Sequence, residues 1–323
     1  MKAGYTTTQL AGKAFAYMQA YFLFIFYITT ALALPQSILA AGNPIVVPFM
    51  MAGNAIFIEA KINDQTGVFL FDTGASDLIL NSAYFKGDPD HSEVIGLYGN
   101  PLKTAYYLAK NIEIGGTYIS KDIALVLDLS SLEKAKNMCI AGIIGYSILK
   151  DFELHFDFTT QQILLFGLRK NEKNPAWVNA DHSFDFKMSG HIPYLEIKLG
   201  GQMVRMGIDS GSERNILQPE MLDLQSFEPT GALRLAGLST QTMRQVIGQV
   251  SGFCLGSLKM DKLEFILADL MPVSKELPVR LDGVLGVQFL KNYKVAINFK
   301  LRKIYLWELR PVSENCQLAA CEM

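Results

Sequence analysis

Val68-Phe69-Leu70-Phe71-Asp72-Thr73-Gly74-Ala75-Ser76 places an acidic side chain on a tight turn directly after an apolar run. A carboxylate there loses hydration, and hydrogen bonds from the turn amides and hydroxyl must replace it. The same arrangement returns 137 residues later as Val204-Arg205-Met206-Gly207-Ile208-Asp209-Ser210-Gly211-Ser212. Two copies of so unusual a placement point to one shared site.

The repeat extends well beyond the two turns. At the offset of 137, Phe49, Gly53, Glu59, Lys61 and Gln65 match Phe186, Gly190, Glu196, Lys198 and Gln202, and Ile79 and Leu80 match Ile216 and Leu217. At an offset of 141, Gly96, Gly115, Asp128, Gly142, Gly145 and Lys150 match Gly237, Gly256, Asp269, Gly283, Gly286 and Lys291, so one small insertion separates the registers. Solenoid repeats run roughly 20–50 residues, so each copy is instead the size of a lobe. If the lobes pack about an approximate twofold axis, the same loop of each faces the other, and Asp72 meets Asp209.

Composition agrees with two such lobes. A chain of 323 residues that is 50% hydrophobic has ample material for buried cores. Its 29 basic and 31 acidic residues leave no charge excess to attract nucleic acid or an anionic membrane surface. Short runs rich in Val, Ile, Phe and Tyr between turn residues predict a mostly β, all-β fold, which the repeat divides into two similar β lobes. Strands are expected at 45–51, 55–62, 68–71, 104–108, 112–114, 117–119 and 123–127, with a turn at Gly115-Gly116 and a closing hairpin at 152–158 and 162–166. In Ile143-Ile144-Gly145 a short strand ends on a glycine, where another backbone can approach closely.

The chain divides on this reading into an N-terminal segment 1–41, a first lobe 45–170, a second lobe 171–310 and a polar tail 311–323. Lys2 and Lys13 precede the apolar run Tyr21 to Ile28, which is short of the roughly 20 residues of a spanning helix but suits a signal core. Cleavage fits after Ala33 or near Ala41, which would make the protein secreted or periplasmic. An uncleaved N-terminal anchor is the alternative. The even set Cys139, Cys254, Cys316 and Cys321 permits disulfides in an exported chain, with Cys316–Cys321 the easiest pair and Cys139 and Cys254 read as buried thiols.

Two carboxylates held together cannot both ionise readily; they share a proton, and one acts as base while the other stays acid. Such a pair can activate a water without a covalent intermediate. On these motifs the sequence resembles the aspartic proteases, over roughly residues 45–310. Asp72-Thr73-Gly74-Ala75 and Asp209-Ser210-Gly211-Ser212 match the family's catalytic loops, and Ile143-Ile144-Gly145 and Val284-Leu285-Gly286 its apolar pair and glycine. The resemblance implies two β-barrel lobes with a cleft between them, and an endopeptidase with Asp72 and Asp209 as catalytic dyad and Thr73 and Ser210, beside Ala75, supporting it. It further implies Gly74, Gly211 and Ser212 against the substrate, with Gly96 to Asn100, including Tyr98, as a flap. The short lobes and Ala75 look more like retroviral-type lobes fused in tandem than a full pepsin. Charges in Ser212-Glu213-Arg214 either tune the site or mark decay of the second copy.

Other chemistries lack support. His91, His155, His182 and His191 have no paired spacing that suits a metal, and no Gly-x-Ser-x-Gly elbow is present, so neither metal nor cofactor is expected. The expected partner is a peptide or protein substrate, and two aspartates in one chain remove the need for a dimer. A catalytically silent peptide- or protein-binding relative is the second reading, and a membrane-anchored processing enzyme the third. Ala75 cannot donate to Asp72 whereas Ser212 could donate to Asp209, so Asp72 is expected to be the more readily protonated. Ala75→Ser is then expected to move the acidic limb of a pH–rate profile downward.

Overall fold

Each half opens on a hairpin whose turn needs a glycine. Strand Ile45–Ala52 pairs antiparallel with Ala55–Ile62 through Ala52↔Ala55, and Gly53 between them holds φ at +68°, a left-handed conformation that disfavours a side chain. Gly190, its counterpart, holds φ at +59° between Lys187–Ser189 and Ile192–Leu199. The computed structural model describes residues 43–95, 101–168, 179–223, 227–236, 242–275 and 277–309. The expected signal segment, the flap tip 96–100, most of the Gly167–Asn179 stretch and the C-terminal tail lie outside them. Among the described residues no helix is long and apolar enough to cross a membrane.

The fold is all-β, and the repeat governs its topology. In the first half Ala55–Ile62, Gln65–Phe71, Gly142–Ile144, Ile79–Asn81, Thr117–Leu127 and Pro101–Ile114 follow one another around a ring. The pairs Ala60↔Ile114, Lys61↔Glu113 and Ile62↔Ile112 close it. In the second half Ile192–Leu199, Gln202–Ile208, Gly283–Leu285, Ile216–Leu217, Leu258–Leu267 and Thr242–Leu255 take the same order, with Lys198↔Cys254 bringing the ends together. Closure satisfies edge amides that an open sheet would leave unpaired. Phe69, Phe71, Ile56, Ile58 and Leu80 fill the first interior and Ile197, Met206, Ile208 and Phe265 the second.

A further sheet joins the halves. Its order is His182–Asp185, Lys303–Glu308, Tyr293–Asn298, Phe152–Asp157, Gln162–Gly167 and Ile45–Ala52, three strands from each half. At its centre Phe156 faces Val295 and Leu154 faces Ile297. Since 295 and 297 are the repeat counterparts of 154 and 156, exchanging the halves maps this register onto itself, as a twofold axis requires. Phe71 packs edge-on against Phe156 with centroids 5.7 Å apart, which ties the first barrel to this sheet.

Several expectations are corrected here. The strands expected at 117–119 and 123–127 are one strand, Thr117–Leu127, because pairing with the long partner Pro101–Ile114 resumes on both sides of register shifts at this stretch, through Ala109↔Asp122 and Ile112↔Ser120. That partner is itself much longer than the expected 104–108. The 152–166 hairpin closes no barrel; its outer edges carry Ile45–Ala52 and Tyr293–Asn298 instead. A helix, Ser130–Lys136, was not anticipated. Cys139 is exposed and Cys254 half-buried, so neither is a buried thiol, and neither forms a disulfide. Cys316 and Cys321 lie outside the described residues.

The two strand-ending glycines sit where backbones nearly touch. A Cβ on Gly145 would lie 2.3 Å from the Asp77 carbonyl oxygen and 2.7 Å from that of Ala75, and on Gly286 2.4 Å from those of Arg214 and Ser212. Gly145→Ala must therefore displace the loop that carries Asp72, at an expected cost of about 1–3 kcal/mol in denaturant unfolding. Gly167→Ala, which meets nothing within 4 Å, is expected to stay within about 0.5 kcal/mol of the parent.

Candidate active site

Each aspartate leaves the end of a barrel strand. Asp72 follows Gln65–Phe71 and Asp209 follows Gln202–Ile208, and each strand runs parallel to the short strand ending at Gly145 or Gly286. The Asp72 amide donates to the Ile144 carbonyl at 3.1 Å, and the Asp209 amide to that of Leu285 at 3.1 Å. The following helix then clamps each loop: Tyr146 N–H donates to the Ala75 carbonyl and Val287 N–H to that of Ser212, both at 2.8 Å. Counterpart residues thus hold both loops in the same way.

Between the loops the bonds are reciprocal. Thr73 N–H donates to Ser210 Oγ at 3.0 Å, and Ser210 N–H donates to Thr73 Oγ1 at 2.9 Å. The Ser210 hydroxyl donates onward to the Phe71 carbonyl at 3.0 Å. Both side chains are fully buried. This brings the two carboxyl groups against each other, each over the opposite loop's glycine. A Cβ on Gly74 would stand 2.6 Å from both Asp209 carboxyl oxygens, and one on Gly211 2.3 Å from both of Asp72. Only glycine fits at either position.

The two carboxyls are half-buried and differ in their surroundings. Burial pushes Asp72 well above the ordinary carboxylate range, and the neighbouring Asp209 charge and hydrogen bond push it further, against the amides of Gly74 and Ala75. Those amides reach Asp72 Oδ1 at 2.8 and 2.9 Å. Burial also raises Asp209, but the Asp72 carboxyl and the amides of Gly211, Gly74 and Ser212 oppose it. Burial thus lifts both carboxyls, and the pair holds one proton between them.

The donor expected to distinguish Asp209 from Asp72 is not made. The Ser212 hydroxyl donates to the Arg214 carbonyl at 2.8 Å, not to Asp209. That carbonyl lies within the same turn and takes the only proton the hydroxyl has. A serine at position 75 would find the equivalent carbonyl of Asp77 in its own turn. Ala75→Ser is accordingly expected to leave the acidic limb where it is.

The residues implied against a substrate are placed unevenly. Gly74, Gly211 and Ser212 sit half-buried around the two carboxyls. Gly96 and Tyr98 lie outside the described residues, although the hairpin leading to them is present, Asp88–Ile95 with Pro101–Ile114, joined through Ile95↔Pro101. Phe227–Ala236 and Thr242–Leu255 repeat that hairpin in the second half. An open depression of about 580 Å³ lined by residues such as Lys86, Tyr106 and Lys110 contains neither aspartate.

Sequence reasoning missed the contacts that cross between halves. Glu213 leaves its loop to accept the Asn54 amide at 3.0 Å and to pair with Lys136, while Asn54 Nδ2 donates to the Glu213 carbonyl at 3.0 Å. Lys291 Nζ reaches Asn54 Oδ1 at 3.0 Å. From the other side, His191 Nε2 lies 2.8 Å from the Gly74 carbonyl oxygen. Asn54 and His191 are counterparts at the offset of 137, each directly after its turn glycine. That shared register was the available signal.

Residues 58–148 match the profile of a protein family described as Aspartyl protease. The matched stretch runs from within Ala55–Ile62 to the helix Tyr146–Leu149 and contains Asp72, Gly74 and Gly145. It supports an aspartic-protease-type family and a general protease function. No curated protein matches the chain.

Asp72→Asn tests the electrostatics of the pair without turnover. Because the folded protein raises Asp72, its neutral form is favoured; the stability this gives is present below the ordinary carboxylate value of about 4 and lost as pH rises through the raised value. The variant is expected to melt about 2–4 °C above the parent at pH 7, with the gain vanishing near pH 3 by calorimetry.

Proposed function

We propose that the chain is an aspartic endopeptidase in which Asp72 and Asp209 activate one water. The carrying observation is the abutment of the two carboxyls over Gly74 and Gly211, where burial raises both and one proton serves the pair. A peptide strand lies across the two loops, with the segment 96–100 as flap, pairing through backbone bonds. Gly74, Gly211 and Ser212 contact it, and Gly96 and Tyr98 close over it. Asp209, ionised, takes a proton from the water as its oxygen attacks the peptide carbonyl carbon, and Asp72 gives its proton to the carbonyl oxygen. Collapse of the resulting diol returns that proton to Asp72, while Asp209 passes its own to the departing nitrogen. Atoms and protons balance, and both carboxyls end as they began. One chain supplies both halves, so a monomer suffices, and residues 1–41 direct export.

Cleavage of an unfolded protein mixture between pH 3 and 7 tests this reading. Asp72→Asn and Asp209→Asn are each expected to lower the rate by about a hundredfold or more. Loss in both variants supports a shared dyad; no cleavage by folded wild type at any pH favours the silent binding relative instead.

A further inference from the structure

The repeat makes the two hairpin turns reach across to the opposite Asp loop, but with different chemistry. Asn54 Nδ2 donates to the Glu213 carbonyl, whereas His191 meets the Gly74 carbonyl at 2.8 Å, two residue positions closer to the aspartate. A carbonyl oxygen only accepts, so the His191 nitrogen facing it is the Nε2–H donor. The accepting oxygen belongs to the peptide between residues 74 and 75. The N–H of that same peptide, on Ala75, donates to Asp72 Oδ1 at 2.9 Å. A hydrogen bond received at a peptide oxygen polarises the unit and makes its N–H a stronger donor.

The half-buried His191 ring is held in place for this contact. Tyr146 stands beside it with centroids 6.4 Å apart, and Phe299 backs Tyr146 edge-on at 5.3 Å. Tyr146 itself clamps the same loop through its amide on the Ala75 carbonyl. The titratable groups around the ring are thus Tyr146 and, beyond the 74–75 peptide, the dyad.

We propose that His191 is a positioning residue for Asp72, acting through the Gly74–Ala75 peptide and fixing how firmly Asp72 holds its proton. This rests on the dyad reading for its effect on catalysis but not for its effect on the carboxyl. Removing the donor weakens the Ala75 amide bond to the carboxylate, disfavours the charged form and makes Asp72 harder to ionise. His191→Gln keeps an N–H at the same reach; His191→Ala removes it.

The test follows the Asp72 carboxyl by carbon-13 NMR titration of the intact protein, alongside peptide-cleavage kinetics. In His191→Ala the Asp72 titration is expected to rise by about half a pH unit, kcat to fall about threefold and KM to stay within about twofold, with His191→Gln restoring each. An unchanged Asp72 titration in folded His191→Ala overturns the proposal, as does a shift that His191→Gln fails to reverse. If His191→Ala does not fold, a folded His191→Gln must titrate Asp72 like wild type, and a shift there also overturns it. If wild type cleaves nothing, the peptidase reading falls, while the titration still decides the role of His191.

Discussion

Two buried amide-to-hydroxyl hydrogen bonds, Thr73 to Ser210 and Ser210 to Thr73, join the Asp loops. Stranding either buried partner would cost about 1–3 kcal/mol, because no water is at hand to replace it. Everything around the pair serves that alignment. The barrel strands deliver both loops at the same height, the six-stranded sheet fixes the halves in a self-mapping register, and the glycines at 145 and 286 let the loop backbones settle. A displacement small enough to be harmless elsewhere in a barrel would here separate the two carboxyls.

Much of this was legible because the sequence states it twice. The offsets of 137 and 141 recur in the observed strands: Ala55–Ile62 with Ile192–Leu199, Pro101–Ile114 with Thr242–Leu255, and Gly142–Ile144 with Gly283–Leu285. The aspartates could be paired on paper because a carboxylate after an apolar strand is rarely placed without cause. What escaped notice depends on distant partners. Phe152–Asp157 carries no local mark that it pairs with Tyr293–Asn298, and the Ser120-Lys121-Asp122 stretch reads as a break until Pro101–Ile114 is laid beside it. The Ser212 hydroxyl was misread because residue type gives its capacity to donate but not the nearest acceptor. His191 was weighed only as a metal ligand, and its bond to Gly74 spans 117 residues.

The contacts between halves also show where the repeat has diverged. Glu213 stands at the position of Ser76 and has become the centre of a network with Asn54 and Lys136, tying the second loop to the first barrel. Arg214, at the position of Asp77, turns outward to Glu264 at 3.2 Å. These charges brace one loop, while in the other Ser76 bonds within its own turn to Asp77 and the loop is met by His191.

The difference between Asn54 and His191 has a consequence for the ground state of the pair. Two identical halves would give the proton two residences of equal energy, and half of the molecules would hold it on the wrong side for any given direction of approach. A single chain can edit one copy without the other. Each unmatched contact around the loops lifts that degeneracy, so the two carboxyls are already unequal before anything is bound.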